Sequence, residues 1–209
     1  MPTCSTTTTQ GDNMRHTLKL SVLTLCLAGC AGMPSAEKQA EQAKNMAGEA
    51  RATAGGLIKT LGGELKAAMG AGGPENAISV CKEKAPAIAK EASARTGMSI
   101  KRVSTKNRNP KGVPDAWEAA AIAKFEKALA AGAKVETLDT YEVVDDGKTK
   151  TFRYAKALVT QAVCLECHGM PEAMKEGVKA KLATEYPNDK AVGYAAGMVR
   201  GIITMRRPL

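Results

Sequence analysis

Residues 161–170 read QAVCLECHGM, and the pentapeptide Cys164-Leu165-Glu166-Cys167-His168 constrains the chain more than any other stretch. Two residues between the cysteines let one helical turn present both sulfurs along one edge. The histidine that follows falls beneath that edge. This spacing is the attachment signature of haem c: the thiols add across two vinyl groups and the imidazole binds iron as the proximal ligand. The competing readings have less support. A redox Cys-x-x-Cys opens a helix after a strand in a βαβ unit, a setting that is absent here. Zinc asks for four ligands, and the chain holds only two histidines, His16 and His168. A disulfide between Cys164 and Cys167 is the remaining alternative.

Covalent haem is added outside the cytoplasm, and the amino terminus fits export. Met14-Arg15-His16-Thr17-Leu18-Lys19 forms a basic start, and Leu20 to Leu27 a short apolar run that is too short to span a bilayer. The run ends in Leu27-Ala28-Gly29-Cys30, which resembles a bacterial lipobox with Cys30 as the lipidated residue. Ordinary cleavage at small residues is the alternative. Residues 1–29 are therefore read as a lipoprotein-type signal peptide, with residues 1–13 as an overlong start. The expected location is the bacterial periplasm, with membrane attachment only through lipid at Cys30. Cleavage removes Cys4 and Cys26, and lipid caps Cys30. Cys81, Cys164 and Cys167 remain, an odd number for an oxidising compartment.

Aromatic residues make up only 3% of the chain, so either a large apolar group or close-packed alanine must fill the core. The net charge of +9 is scattered among acidic residues. No basic block or nucleic-acid motif accompanies it, which argues against nucleic-acid binding. Residues 30–73 read as a tether followed by polar helices punctuated by glycine pairs, and residues 74–209 as the haem domain. Ile78, Cys81, Ala85, Ile88 and Ala92 share one helical face, with Pro86 expected to kink or restart the helix. Residues 99–104 read as a strand. Asp115 caps a helix that carries Trp117, Ala121, Phe125 and Leu129 at steps of four. Two strands (134–144 and 148–158) flank the turn Asp145-Asp146-Gly147, and residues 198–205 form a last strand. The order predicts an α+β fold with an antiparallel sheet covered by helices.

With the signal removed no second histidine is left for iron. The sixth ligand is then a methionine, Cys81, a lysine or an open position. Cys81 lies on the apolar helix face and is the unpaired thiol, though a buried free cysteine is often only a small apolar residue. The segments AISVCKEKAPAIAKEAS (77–93), RVSTKNRNPKGVPDAWE (102–118), CLECHG (164–169) and YPNDKAVGYAAGMVRGIITM (186–205) resemble, in order, a family of exported c-type haem domains with a PAS-like fold. Its members are stand-alone haem proteins or sensory input regions. The resemblance implies a PAS-like antiparallel sheet covered by helices, one covalently attached haem c, and axial ligation by His168 and Cys81. Two positions depart from the pattern. Gly112 stands in place of asparagine, and Met198 stands in place of an acidic residue and offers an alternative sulfur to Cys81.

Arg102, Arg108 and Lys106 are candidate partners of the haem propionates, and Trp117 is a candidate for packing on the porphyrin. Tyr186 and Asp189 are read as loop anchors, and Asn109 and Pro110 as turn formers. A thiolate ligand favours ferric iron and a low potential. That suits a redox or small-gas (NO or CO) sensor better than a high-potential shuttle. A low-potential electron-transfer cytochrome is the second expectation. A haem enzyme ranks third, because no distal histidine is at hand. The 209 residues carry no output motif, so a redox or signalling partner protein is expected, and homodimerisation is left open.

Overall fold

The computed structural model describes residues 36–209. Cys30 and the signal segment lie outside them. Four strands form one antiparallel sheet: β1 (Ser99–Val103), β2 (Asp139–Asp145), β3 (Lys150–Val159) and β4 (Val199–Pro208), in the spatial order β1-β4-β3-β2. The α+β expectation therefore holds. The β2–β3 hairpin turns where Asp146 Oδ1 accepts the Lys148 and Thr149 amides and Gly147 takes φ +82°. Strand β2 starts later than its sequence pattern suggests, because Val135–Thr137 closes into a 3-10 turn.

The first helix, α1 (Ala36–Thr96), covers one face of the sheet. Ala43, Met46, Ala47, Ala50, Ala54 and Leu57 form its buried stripe. Met46, Ala47, Ala50, Ala54 and Leu57 pack against Phe152, Tyr154, Ile203 and Met205 of β3 and β4. Alanine lets the helix backbone approach the sheet closely, which answers the shortage of aromatic volume. This packing also carries the helix through Gly55-Gly56 and Gly62-Gly63, despite a cost of about 1 kcal/mol per glycine. Met46 to Leu57, within the stretch 30–73 read as tether and N-terminal helices, thus pack as part of the core on the sheet. The break in α1 falls at Gly72-Gly73, where Gly73 adopts φ +71°, and not at Pro86, whose backbone stays helical. Pro74 then opens the second segment, a position where its missing N–H costs nothing.

Helix α2 (Ala116–Ala130) covers the opposite face, with Ala121, Ile122 and Phe125 against Val103, Ala155, Ala157 and Ile202. Asp115 caps it as expected, in a reciprocal capping box with Glu118. The Glu118 side chain is buried and pairs with Arg153 at 3.4 Å and Lys101 at 3.5 Å. Glu118→Gln removes this charge while Arg153 keeps Asp115 at 2.6 Å, and is expected to cost about 1.5 kcal/mol. A matched pair of urea-unfolding curves measures that loss. Two shorter helices, α3 (Leu165–His168) and α4 (Glu176–Glu185), complete the chain. Val178 and Leu182 of α4 bury against Ile78 of α1, with Cys167 and Tyr186 at the margin of this third apolar cluster.

Candidate functional site

Ile78, Ala85 and Ala92 are buried on α1 as the periodicity predicts, and they hold Cys81 half-buried on the same face. Alternation along β1 places Arg102 with Ile100 on the α1 side of the sheet. The pentapeptide enters through a 3-10 turn (Ala162–Cys164) and ends in the single turn of α3. Gly169 follows, where a Cβ would stand 2.6 Å from the Leu165 carbonyl oxygen. Cys81, Cys164 and Cys167 are all free thiols and all half-buried. Cys167 borders the apolar cluster that holds Ile78 of α1, and its thiol lies near enough to that of Cys81 for the charge of one to act on the other.

His168 is fixed from two sides. Its Nδ1 lies 2.7 Å from the Ala191 carbonyl oxygen, an acceptor only, so Nδ1 carries the proton and the Nε2 lone pair is left for a metal. The ring of buried Tyr194 meets the imidazole edge-on at 6.2 Å, and the Tyr194 amide donates to the His168 carbonyl at 2.9 Å. Burial, with Arg108, Arg200 and Arg102 nearby, lowers the His168 pKa to about 3, although the bond to Ala191 opposes this. The imidazole is therefore neutral, the form that ligates metal, throughout the physiological range. Burial raises both thiols, Cys81 above its usual value and Cys167 to about 11. Arg102 and Arg108 act in the opposite sense on Cys81 and favour its thiolate.

Arg108 holds the loops together. Its Nε and Nη2 donate to Asp189 Oδ2 at 3.0 and 2.9 Å, and Nη2 also donates to the Cys167 carbonyl at 2.5 Å. Asp189 Oδ1 accepts the Ala191 amide at 2.8 Å, so the carbonyl that orients His168 is itself held by Asp189. Tyr186 lies beneath Lys82 and Arg108. Both residues anchor their loop, as expected. Asn109 caps the turn Pro110–Gly112 through the Lys111 amide, and Gly112 sits where a Cβ would be 3.2 Å from the Arg102 carbonyl oxygen. Lys106 reaches the Val192 carbonyl at 3.3 Å and lies over Tyr194.

Two sequence candidates fall away from the cleft. Trp117 sits with α2 on the opposite face of the sheet, donating to Glu142 at 2.8 Å with Arg153 over its ring. It cannot pack on a group bound beside Cys81. Met198 is 43% exposed, and its sulfur accepts the Ala195 amide at 3.2 Å within its own loop. The zinc alternative has no ligand set: among the described residues no three His, Cys, Asp or Glu side chains gather to hold a metal ion.

Sequence reasoning missed Arg200. A bulge between Leu158 and Val159 breaks the β3–β4 register. Beside it Gly201 adopts φ +153°, where a Cβ would run into the Val103 carbonyl oxygen. Val199 still packs with Ile202 on the α2 side, whereas Arg200 turns towards His168, over the Tyr194 ring at 5.4 Å. An arginine inside the otherwise apolar run Met198 to Met205 was the available signal.

The donor set fits an anionic metal cofactor. It offers two adjacent thiols, a neutral imidazole with one free nitrogen, a third thiol from another element and a concentration of guanidinium groups.

No curated protein matches the chain. Among solved structures, the crystal structure of the cyanobacterial heme-protein Tll0287 matches with a TM-score of 0.54 at 21% identity, over 84% of this chain and 97% of that one. A family model described as Tll0287-like matches residues 31–208. The chain belongs to the Tll0287-like family.

Proposed function

We propose that this protein is a monohaem c-type cytochrome that senses redox state or a small gas, NO or CO, in the bacterial periplasm, tethered through lipid at Cys30. The observation that carries the reading is the His168 imidazole, with Nε2 free and three arginines acting on it, next in sequence to Cys167, whose thiol feels the charge of Cys81. The similarity to a protein described as a heme-protein supports it. Haem c would supply an iron that changes oxidation state and accepts a diatomic gas.

The chain's own residues do the rest. Cys164 and Cys167 fix the porphyrin edge, and His168 is held in one tautomer by Ala191. Cys81 presents a thiol whose charged form is disfavoured by burial, the larger effect, and partly restored by Arg102 and Arg108, so its hold on a metal can be released. The segment that bears Cys81 begins just after the Gly72-Gly73 break and is fastened to α4 by the Lys82–Glu185 ion pair. Release of Cys81 would free one segment of α1 while its first segment stays packed on the sheet, which gives a two-state element for a partner to read.

Low-potential electron transfer is the second reading. It is favoured by the half-exposed attachment cysteines and by Val163 and Met170, 43% and 57% exposed beside them, which leave the motif open to a partner protein. Carbon monoxide separates the two. A sensor is expected to take up CO once reduced, shifting its Soret band, and to lose the thiolate signature as it does so. Indifference to CO, with fast reversible exchange with a small cytochrome, would establish the carrier.

A further inference from the structure

Guanidinium groups concentrate around His168, and most of them lack a carboxylate partner. Arg102, Arg108 and Arg200 all act on His168. Only Arg108 has a carboxylate partner, Asp189, whose oxygens are fully engaged with Arg108 and the Ala191 amide. Arg102 forms no ion pair with any carboxylate among the described residues, although burial disfavours its charge. Its side chain meets solvent on the α1 side of the sheet. Arg200 donates through Nη1 to the Lys106 carbonyl at 3.1 Å, and its Nε is buried without any acceptor. A buried donor left unsatisfied is costly and marks a place where a partner is expected. Arg102 and Arg200 are thus the two of the three guanidinium groups that no carboxylate pairs with, and haem carries two propionates.

We propose that Arg200 and Arg102 form the propionate clamp, with Arg200 Nε donating to a propionate oxygen, and that Arg108 is a positioning residue for His168. This assignment rests on the haem reading above. It moves Arg108 from the clamp to the loop, because its donors already serve Asp189 and the Cys167 carbonyl. The bulge beside Gly201 is then what directs the clamp: without it Arg200 would keep the strand alternation. Tyr194, flanked by Arg200 and Lys106 and packed on His168, ties the clamp to the proximal ligand.

The test uses the full chain produced in a host that matures c-type haem, as wild type, Arg102→Gln, Arg200→Gln, Arg200→Lys, Arg108→Gln and the Arg102→Gln/Arg200→Gln pair. Haem staining on a denaturing gel first shows whether covalent haem is present. Resonance Raman bands of the propionates and the midpoint potential are then compared. Loss of a cation beside the iron favours the ferric state, so Arg102→Gln and Arg200→Gln are each expected to lower the midpoint and shift the propionate bands. The pair should shift them furthest, and Arg200→Lys should recover most of the midpoint. Arg108→Gln should alter the iron–histidine band and leave the propionate bands in place. Unchanged propionate bands and midpoint in Arg200→Gln, or propionate shifts confined to Arg108→Gln, would overturn the clamp while leaving haem binding intact. Wild type without covalent haem would overturn the underlying reading, and the clamp with it.

Discussion

Replacing Cys164 and Cys167 together by serine is expected to remove covalent haem completely: no haem stain on a denaturing gel, and no pyridine haemochrome from washed protein. The effect is total because a thioether is a covalent bond that serine cannot form. Non-covalent retention is then left to His168, Cys81 and the arginines. Single replacements should keep one thioether, and each should give a haemochrome band displaced towards that of a haem with one free vinyl group. Apoprotein stability should fall little, because both cysteines are half-exposed and Cys167 only borders the Ile78–Val178–Leu182 cluster. Full haem staining in the double variant would remove the attachment site from this motif.

The second large effect is on the reduction potential. Cys81→Met is expected to raise the midpoint by on the order of 100 mV or more, within the range over which axial ligands tune haem. Two contributions have the same sign. A thiolate donates charge and favours ferric iron, whereas a thioether is neutral. Arg102 and Arg108, which favour the thiolate of Cys81, would lose that anion and add their positive charge to the field at the iron. Spectroelectrochemical titration of both proteins at one pH measures the shift. A midpoint that falls or stays fixed would mean that Cys81 is not bound to iron in either oxidation state.

Local signals in the chain were legible because local chemistry determines them. The Asp115 cap needs only Glu118 three residues on, and the hairpin needs only Asp146 and Gly147. The apolar face of α1 around Cys81 follows from helical spacing alone. What escaped is set by non-local geometry. Trp117 fits a helix facing a core, but which face of the sheet α2 covers depends on the crossing from β1, which no spacing records. Residues 35–52 read as a polar helix because alanine is ambiguous by composition, and close approach of Met46, Ala47 and Ala50 to Phe152 and Tyr154 decides its role. Gly55-Gly56 and Gly72-Gly73 look alike in sequence. Only the second pair breaks the helix, at the point where the chain leaves the sheet for α4. Arg200 escaped because a bulge reverses its expected facing.

The most direct test of the central claim, that His168 and Cys81 are the axial ligands of one haem c, is the ferric EPR spectrum of the full chain beside that of Cys81→Ala, each matured with haem. A low-spin thiolate-type signal in the wild type that disappears in the variant is the predicted result. The same low-spin signal in both proteins would contradict it, and would hand the sixth position to another residue.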